Sequence, residues 1–215
     1  MSMIYFLSEG NQREGYLALP TNPNGRAILV LHAWWGLTPF FKNLCDKLAI
    51  EGFIAFAPDL HHGKTASTIQ SANQILEERD FSAALATAEA ALEFFRQHHA
   101  VQGKKMGALG FSMGAGFALI LHEIKPDAFG AVTMFYGGSD ADLSKTDTPF
   151  LCHFAEKDEF EPLENVQKIV STNATVNVYP GTGHWFFEDN RPEFDTEAAA
   201  LAWQRTLAFF NEHLS

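Results

Sequence analysis

The chain has 215 residues, 47% apolar and 13% aromatic, enough for one sizeable core, and no Pro/Ser/Gly-rich linker or charge block divides it, so residues 1–215 read as one domain. A formal charge of −11 at pH 7 repels phosphate backbones and anionic membrane surfaces, which argues against nucleic acid and membranes as partners. The two cysteines, Cys45 and Cys152, fit reduced buried thiols; with no basic, long-apolar N-terminus and no run near the roughly 20 apolar residues that span a bilayer, the expectation is a cytoplasmic protein.

In chain order, Ile4–Leu7 and Tyr16–Leu19 read as two short strands around a turn at Gly10-Asn11, and Asn22-Pro23-Asn24-Gly25 is a further turn. The pattern then changes to continuous apolar runs of the kind buried on both faces: Ala27–Leu31, a helix over Pro39–Ile50, and Phe53–Ala57. A long helix is predicted over Asp80–His98, then a strand at Lys105–Leu109 and a helix that opens at Met113. Further strands fall at Ala131–Phe135, Phe150–Phe154 and Thr175–Tyr179, and an amphipathic helix at Thr196–His213. Buried strands alternating with helices imply an α/β fold with a mostly parallel, twisted sheet and helices on both faces. Its active site should lie beyond the carboxyl ends of the strands.

Gly110-Phe111-Ser112-Met113-Gly114 places a serine in a G-x-S-x-G turn between a strand and a helix, the setting of a nucleophile. Two more candidates follow strands. Asp158 comes after Phe150–Phe154, and His184 comes after Thr175–Tyr179 through Pro180-Gly181-Thr182-Gly183. The order Ser, Asp, His is that of an α/β-hydrolase triad, with Ser112 attacking an acyl carbon, His184 moving its proton and Asp158 orienting the imidazole. Glu156, Glu159 and Glu161 crowd Asp158, so a solvated acidic loop is the competing reading there. Oxyanion donors are expected from the backbone of Met113 and from the turn His32-Ala33-Trp34-Trp35-Gly36, with Trp34 favoured; plain core packing is the alternative for the Trp pair.

Neither His61-His62, His98-His99 nor His122-Glu123 has the spacing of a metal site, and no metal or cofactor is expected. Gly63-Lys64-Thr65 ends like a phosphate-binding loop, but Pro58 stands where that motif needs its first glycine.

Taken together, Leu29–Gly36, Ala57-Pro58-Asp59-Leu60, Gly110–Gly114, Asp158 and Tyr179–His184 resemble the dienelactone hydrolase (carboxymethylenebutenolidase) family of α/β hydrolases over nearly the whole chain. The resemblance implies a triad of Ser112, Asp158 and His184, with oxyanion donors at Trp34 and Met113. Two departures bear on substrate. The best-known members carry a cysteine nucleophile and a glutamate that helps activate it, where this chain has Ser112 and Ala33; and the arginines that hold a lactone carboxylate have no counterpart after Asp59-Leu60 before Arg79. Arg191 either binds an acid group or caps the start of the final helix. With no long lid insertion between Phe135 and Phe150, the pocket should be small, drawing on His32, Trp35, Tyr136, Trp185 and Arg191. The expected enzyme is a serine hydrolase of a small ester, lactone or related acyl compound; a ligand-binding protein on the same fold, or an acyltransferase or peptidase with the same triad, are the alternatives. The sequence carries no sign of oligomeric state.

Overall fold

The computed structural model describes residues 1–103, 105–141, 143, 146–162 and 173–214. The chain divides into two compact units, Met1–Met106 and Gly107–Ser215.

In the first unit, β1 (Ser2–Ser8) and β2 (Asn11–Ala18) form an antiparallel hairpin, with Ser8 opposite Asn11. Its loop is therefore Glu9-Gly10, one residue earlier than the sequence suggests. Both loop residues take positive φ, 50° and 77°, the backbone twist that suits a two-residue hairpin turn. β2 pairs antiparallel with β4 (Ile54–Pro58), which pairs in parallel with β3 (Ala27–Leu31), giving the order β1-β2-β4-β3. Every residue of β3 and β4 is buried, as their unbroken apolar runs require. Helix α1 (Pro39–Ile50) starts where its proline fits the first turn and buries Phe40, Phe41, Leu44, Cys45 and Leu48 along one stripe.

Helix α2 (Ile69–Glu78) has no counterpart in the sequence reading. It buries only Ala72, so it offers little apolar periodicity, and its capping box closes with Ser71 rather than Glu or Gln. Helix α3 (Phe81–Arg96) begins at an Asp80 cap whose carboxylate accepts the backbone N–H of Ser82 and Ala83.

The second unit holds the strand order β5-β6-β7-β8, with β5 at Met106–Phe111, β6 at Phe129–Phe135, β7 at Phe150–Ala155 and β8 at Ala174–Tyr179. The pairs β6/β7 and β7/β8 are parallel. Helix α4 (Met113–Ile124) and the last helix, α5 (Thr196–His213), pack on these strands. A buried polar relay ties β7, β8 and α5. The Arg205 guanidinium donates to the Tyr179 hydroxyl (3.2 Å), which donates to His153 Nδ1 (2.8 Å), and His153 Nε2–H donates to the Thr206 hydroxyl (3.1 Å). Burial pushes the His153 imidazole down to about 3, so it stays neutral in this role. Among the described residues no helix is long and apolar enough to cross a membrane.

Candidate active site

The nucleophile candidate stands at a strained corner. Ser112 links β5 to α4 with φ 49° and ψ −114°, a conformation that L-residues adopt only when their surroundings enforce it. Its N–H donates to the Phe135 carbonyl (2.9 Å) at the end of β6, and its carbonyl accepts the N–H of Ala115 (2.9 Å). Glycine is needed on both sides of this contact. A Cβ on Gly110 would run into the Gly114 carbonyl and lie 2.6 Å from Ala115 Cα, and one on Gly137 would lie 2.8 Å from Ser112 Cα.

From that corner a chain of hydrogen bonds leads through the three loops. The Ser112 hydroxyl lies 2.9 Å from His184 Nε2. On the other side of the ring, Nδ1 is 2.8 and 2.7 Å from the two Asp158 oxygens, so Nδ1–H donates to the carboxylate and Nε2 is left to accept from the serine. Asp158 Oδ1 also accepts the backbone N–H of Phe160 (2.9 Å) and Glu161 (2.8 Å), which fixes the carboxylate before the imidazole meets it. The side chains of His184 and Asp158 are 4% and 0% exposed, so their interaction is little screened by solvent. Glu156 is exposed and braces the next turn instead, accepting the Gly181 N–H at 2.8 Å. Chemically, the arrangement can take a proton from a serine oxygen as it attacks and return one to a leaving group.

Other residues singled out from the sequence lie around it in the same unit. Met113 is the first residue of α4 and is partly exposed. Trp185, with φ 62°, turns its ring edge-on to His184 at 4.8 Å. Tyr136 is fully enclosed; its ring centre lies 4.9 Å from that of His184, and its hydroxyl donates to Glu188 Oε1 at 2.9 Å. Burial lowers the Arg191 guanidinium from its ordinary value, and the neighbouring Glu188, Glu193 and Tyr136 oppose that shift. It does not cap the final helix: that helix begins at Thr196, and the Asp195 carboxylate is its cap, accepting the Ala198 N–H.

His32, Trp34 and Trp35 belong to the first unit. His32 is wholly buried, with Nδ1–H donating to the Ala33 carbonyl (2.7 Å) and Nε2 accepting the Leu60 N–H (3.0 Å); burial pushes it down to about 4. Trp35 is buried and packs edge-on against Trp34, whose carbonyl accepts a bond from His61.

Two residues near His184 escaped the sequence reading. Phe160, 47% exposed, places its ring 5.2 Å from His184 and 4.9 Å from Trp185. It sits in a charged loop with no strand or motif to mark it. Glu188 is 0% exposed yet reads as one more acid in the Glu188-Asp189 pair, and nothing local signals its burial.

Comparison with known proteins decides the lineage. Residues 13–214 match the dienelactone hydrolase family, a span that crosses the boundary between the two units. The chain belongs to the dienelactone hydrolase family. It is 33% identical to Protein usf of Aquifex pyrophilus over 99% of both chains, and 28% identical to a carboxymethylenebutenolidase of Rhodococcus opacus over 89% of this chain and 83% of that one. Among solved structures, the dienelactone hydrolase-like promiscuous phosphotriesterase P91 from metagenomic libraries superposes with a TM-score of 0.86 at 20% identity, over 100% of this chain and 98% of the other. This dienelactone hydrolase family member is accordingly a carboxylic-ester hydrolase with the α/β-hydrolase fold.

Proposed function

We propose that this enzyme cleaves a small ester, lactone or related acyl compound through an acyl-enzyme on Ser112. The observation that carries the reading is the unbroken chain Ser112 Oγ to His184 Nε2 at 2.9 Å and His184 Nδ1 to Asp158 at 2.7 Å. As Ser112 Oγ bonds to the acyl carbon, its proton passes to His184 Nε2; a serine cannot rest as a stable anion as a low-pKa thiolate can, so transfer accompanies attack. Asp158 stabilises the imidazolium so formed. The bond to the leaving group breaks as His184 delivers that proton to it, or to the ring oxygen of a lactone. Water then gives a proton to His184 and its oxygen to the acyl carbon, and collapse returns the proton to Ser112 and frees the acid. The Met113 N–H, at the positive end of α4, supports the oxyanion in both steps. The name of the Rhodococcus relative favours a lactone within this class, while Ala33 in place of the family's activating glutamate fits a serine that relies on its histidine instead.

The test is intact-mass analysis after a fluorophosphonate probe, on wild type beside Ser112→Ala. A single adduct on wild type that is lost in the variant is expected. An adduct that persists in Ser112→Ala, or none on folded wild type across a set of small probes, would overturn the assignment.

A further inference from the structure

Glu188 is a carboxyl group in a place where an apolar residue of its size would cost less. It lies four residues beyond His184, in a loop whose turn is closed by its own N–H donating to the Trp185 carbonyl (2.9 Å) and its carbonyl accepting the Arg191 N–H (2.9 Å). Oε1 accepts the Tyr136 hydroxyl at 2.9 Å, and Oε2 has no hydrogen-bond partner among the described residues. Burial pushes the Glu188 carboxyl up to about 8, with Glu193 and Asp189 adding to the rise and the Tyr136 bond and Arg191 opposing it, so at neutral pH it is an uncharged acid. Burial likewise holds the Tyr136 phenol well above its ordinary value, with Glu188 and Asp158 adding to the rise and Arg191 opposing it.

Tyr136 is where that acid meets the triad. It ends β6 in a left-handed conformation, φ 37°, with its N–H donating to the His153 carbonyl at 2.8 Å. Its neighbour Gly137 packs directly on the Ser112 backbone. The phenol ring stands against His184 at 4.9 Å and Phe186 at 5.6 Å. Tyr136 thus precedes the residue that packs on the Ser112 backbone and sets its ring, tilted by 54°, beside the imidazole, while Glu188 holds its hydroxyl end from the histidine's own loop.

We propose that Glu188 is a positioning residue that acts through Tyr136, clamping the phenol ring against His184 so that Nε2 keeps its reach to Ser112 Oγ. The proposal rests on the triad reading above. A hydrogen bond made by a buried hydroxyl fixes both the tilt and the depth of the ring, which packing alone leaves freer, and displacement of a general base by about 1 Å is enough to cost about 100-fold in rate.

The experiment uses the full chain as Glu188→Leu, Glu188→Gln, Tyr136→Phe and the double variant Glu188→Leu/Tyr136→Phe, with p-nitrophenyl acetate as the substrate. Glu188→Leu, which has no acceptor, is expected to lower kcat by about 10- to 100-fold with KM within about twofold. Glu188→Gln, which keeps an acceptor for the Tyr136 hydroxyl, should recover kcat to within about threefold of wild type. Tyr136→Phe should match Glu188→Leu, and the double variant should be no worse than either single change, because both remove the same bond. Wild-type kcat in Glu188→Leu, a Glu188→Gln as slow as Glu188→Leu, or losses that multiply in the double variant would overturn the proposal. If Glu188→Leu fails to fold, Tyr136→Phe carries the test, and wild-type kcat in that folded variant overturns the proposal. Independently of turnover, the His184 Nδ1–H resonance in 15N-labelled protein should shift or broaden in Tyr136→Phe but not in Glu188→Gln; an unchanged resonance in Tyr136→Phe counts against the clamp. Failure of the triad reading shows separately, as Ser112→Ala that keeps its activity.

Discussion

Replacing Glu188 with glutamine should change how stability depends on pH. The carboxyl, pushed by burial up to about 8 in the folded chain, returns to its ordinary value near 4.5 when the chain unfolds. Between these two values the folded state holds a proton that the unfolded state has released, so its contribution is fully present below about pH 4.5 and is lost as pH rises to about 8. At about 1.4 kcal/mol per pH unit, that window represents on the order of 5 kcal/mol of stability removed between pH 4.5 and 8. Glutamine does not titrate, so the variant escapes this slope. Urea unfolding of both proteins at steps from pH 5 to 9 isolates the effect, because every other titrating group is shared and cancels in the difference. The variant should gain steadily on wild type as pH rises, with the difference levelling off above about pH 8. A difference that stays constant across the range would mean that Glu188 titrates normally and would refute the argument.

Asp158→Asn should lower kcat by about 10³ to 10⁴, while Glu156→Gln, whose carboxylate only braces the Gly181 N–H, should leave kcat within about twofold. Steady-state kinetics compare the two, and the reverse ranking would move the orienting role to Glu156. Gly137→Ala would push a methyl group into the Ser112 backbone and should cost roughly 2 kcal/mol or more in urea unfolding, with a slower reaction toward a fluorophosphonate. Tyr179→Phe removes the hydroxyl that joins Arg205 to His153 and should cost about 1–3 kcal/mol of stability with little change in kcat; a large kcat loss at unchanged stability would contradict a structural role. Phe160→Ala, which strips the exposed ring beside His184, should raise KM for a small aryl ester several-fold with kcat nearly unchanged.

Much of this protein is written locally. A strand buried on both faces must be apolar along its length, so Ala27–Leu31 was legible to the residue and β4 to within one residue. The Ser112 corner is legible because its constraint acts across a few residues: a serine in a strained conformation needs glycine where the backbones cross, and Gly110 marks the place. Asp158 and His184 could be picked out because an α/β sheet presents its working residues just past its strands, which turns chain order into a spatial expectation.

What depends on enclosure was not legible. Helix α2 spends almost all its side chains in solvent and so lacks the apolar period that betrays a packed helix. The sequence points to Asp158 by its place after a strand, but not to the backbone N–H groups of Phe160 and Glu161 that converge on its carboxylate, a geometry that no spacing encodes. Glu188 and Tyr136 meet across 52 residues, and only the folded second unit, by shutting water away from a carboxyl that the sequence shows as one of many surface acids, turns it into a neutral group bonded to the ring beside His184. Local sequence sets backbone conformation and apolar pattern because those energies act over a few residues. Burial, and the change of charge state it forces, is a property of everything that surrounds a group and exists only once the chain has folded.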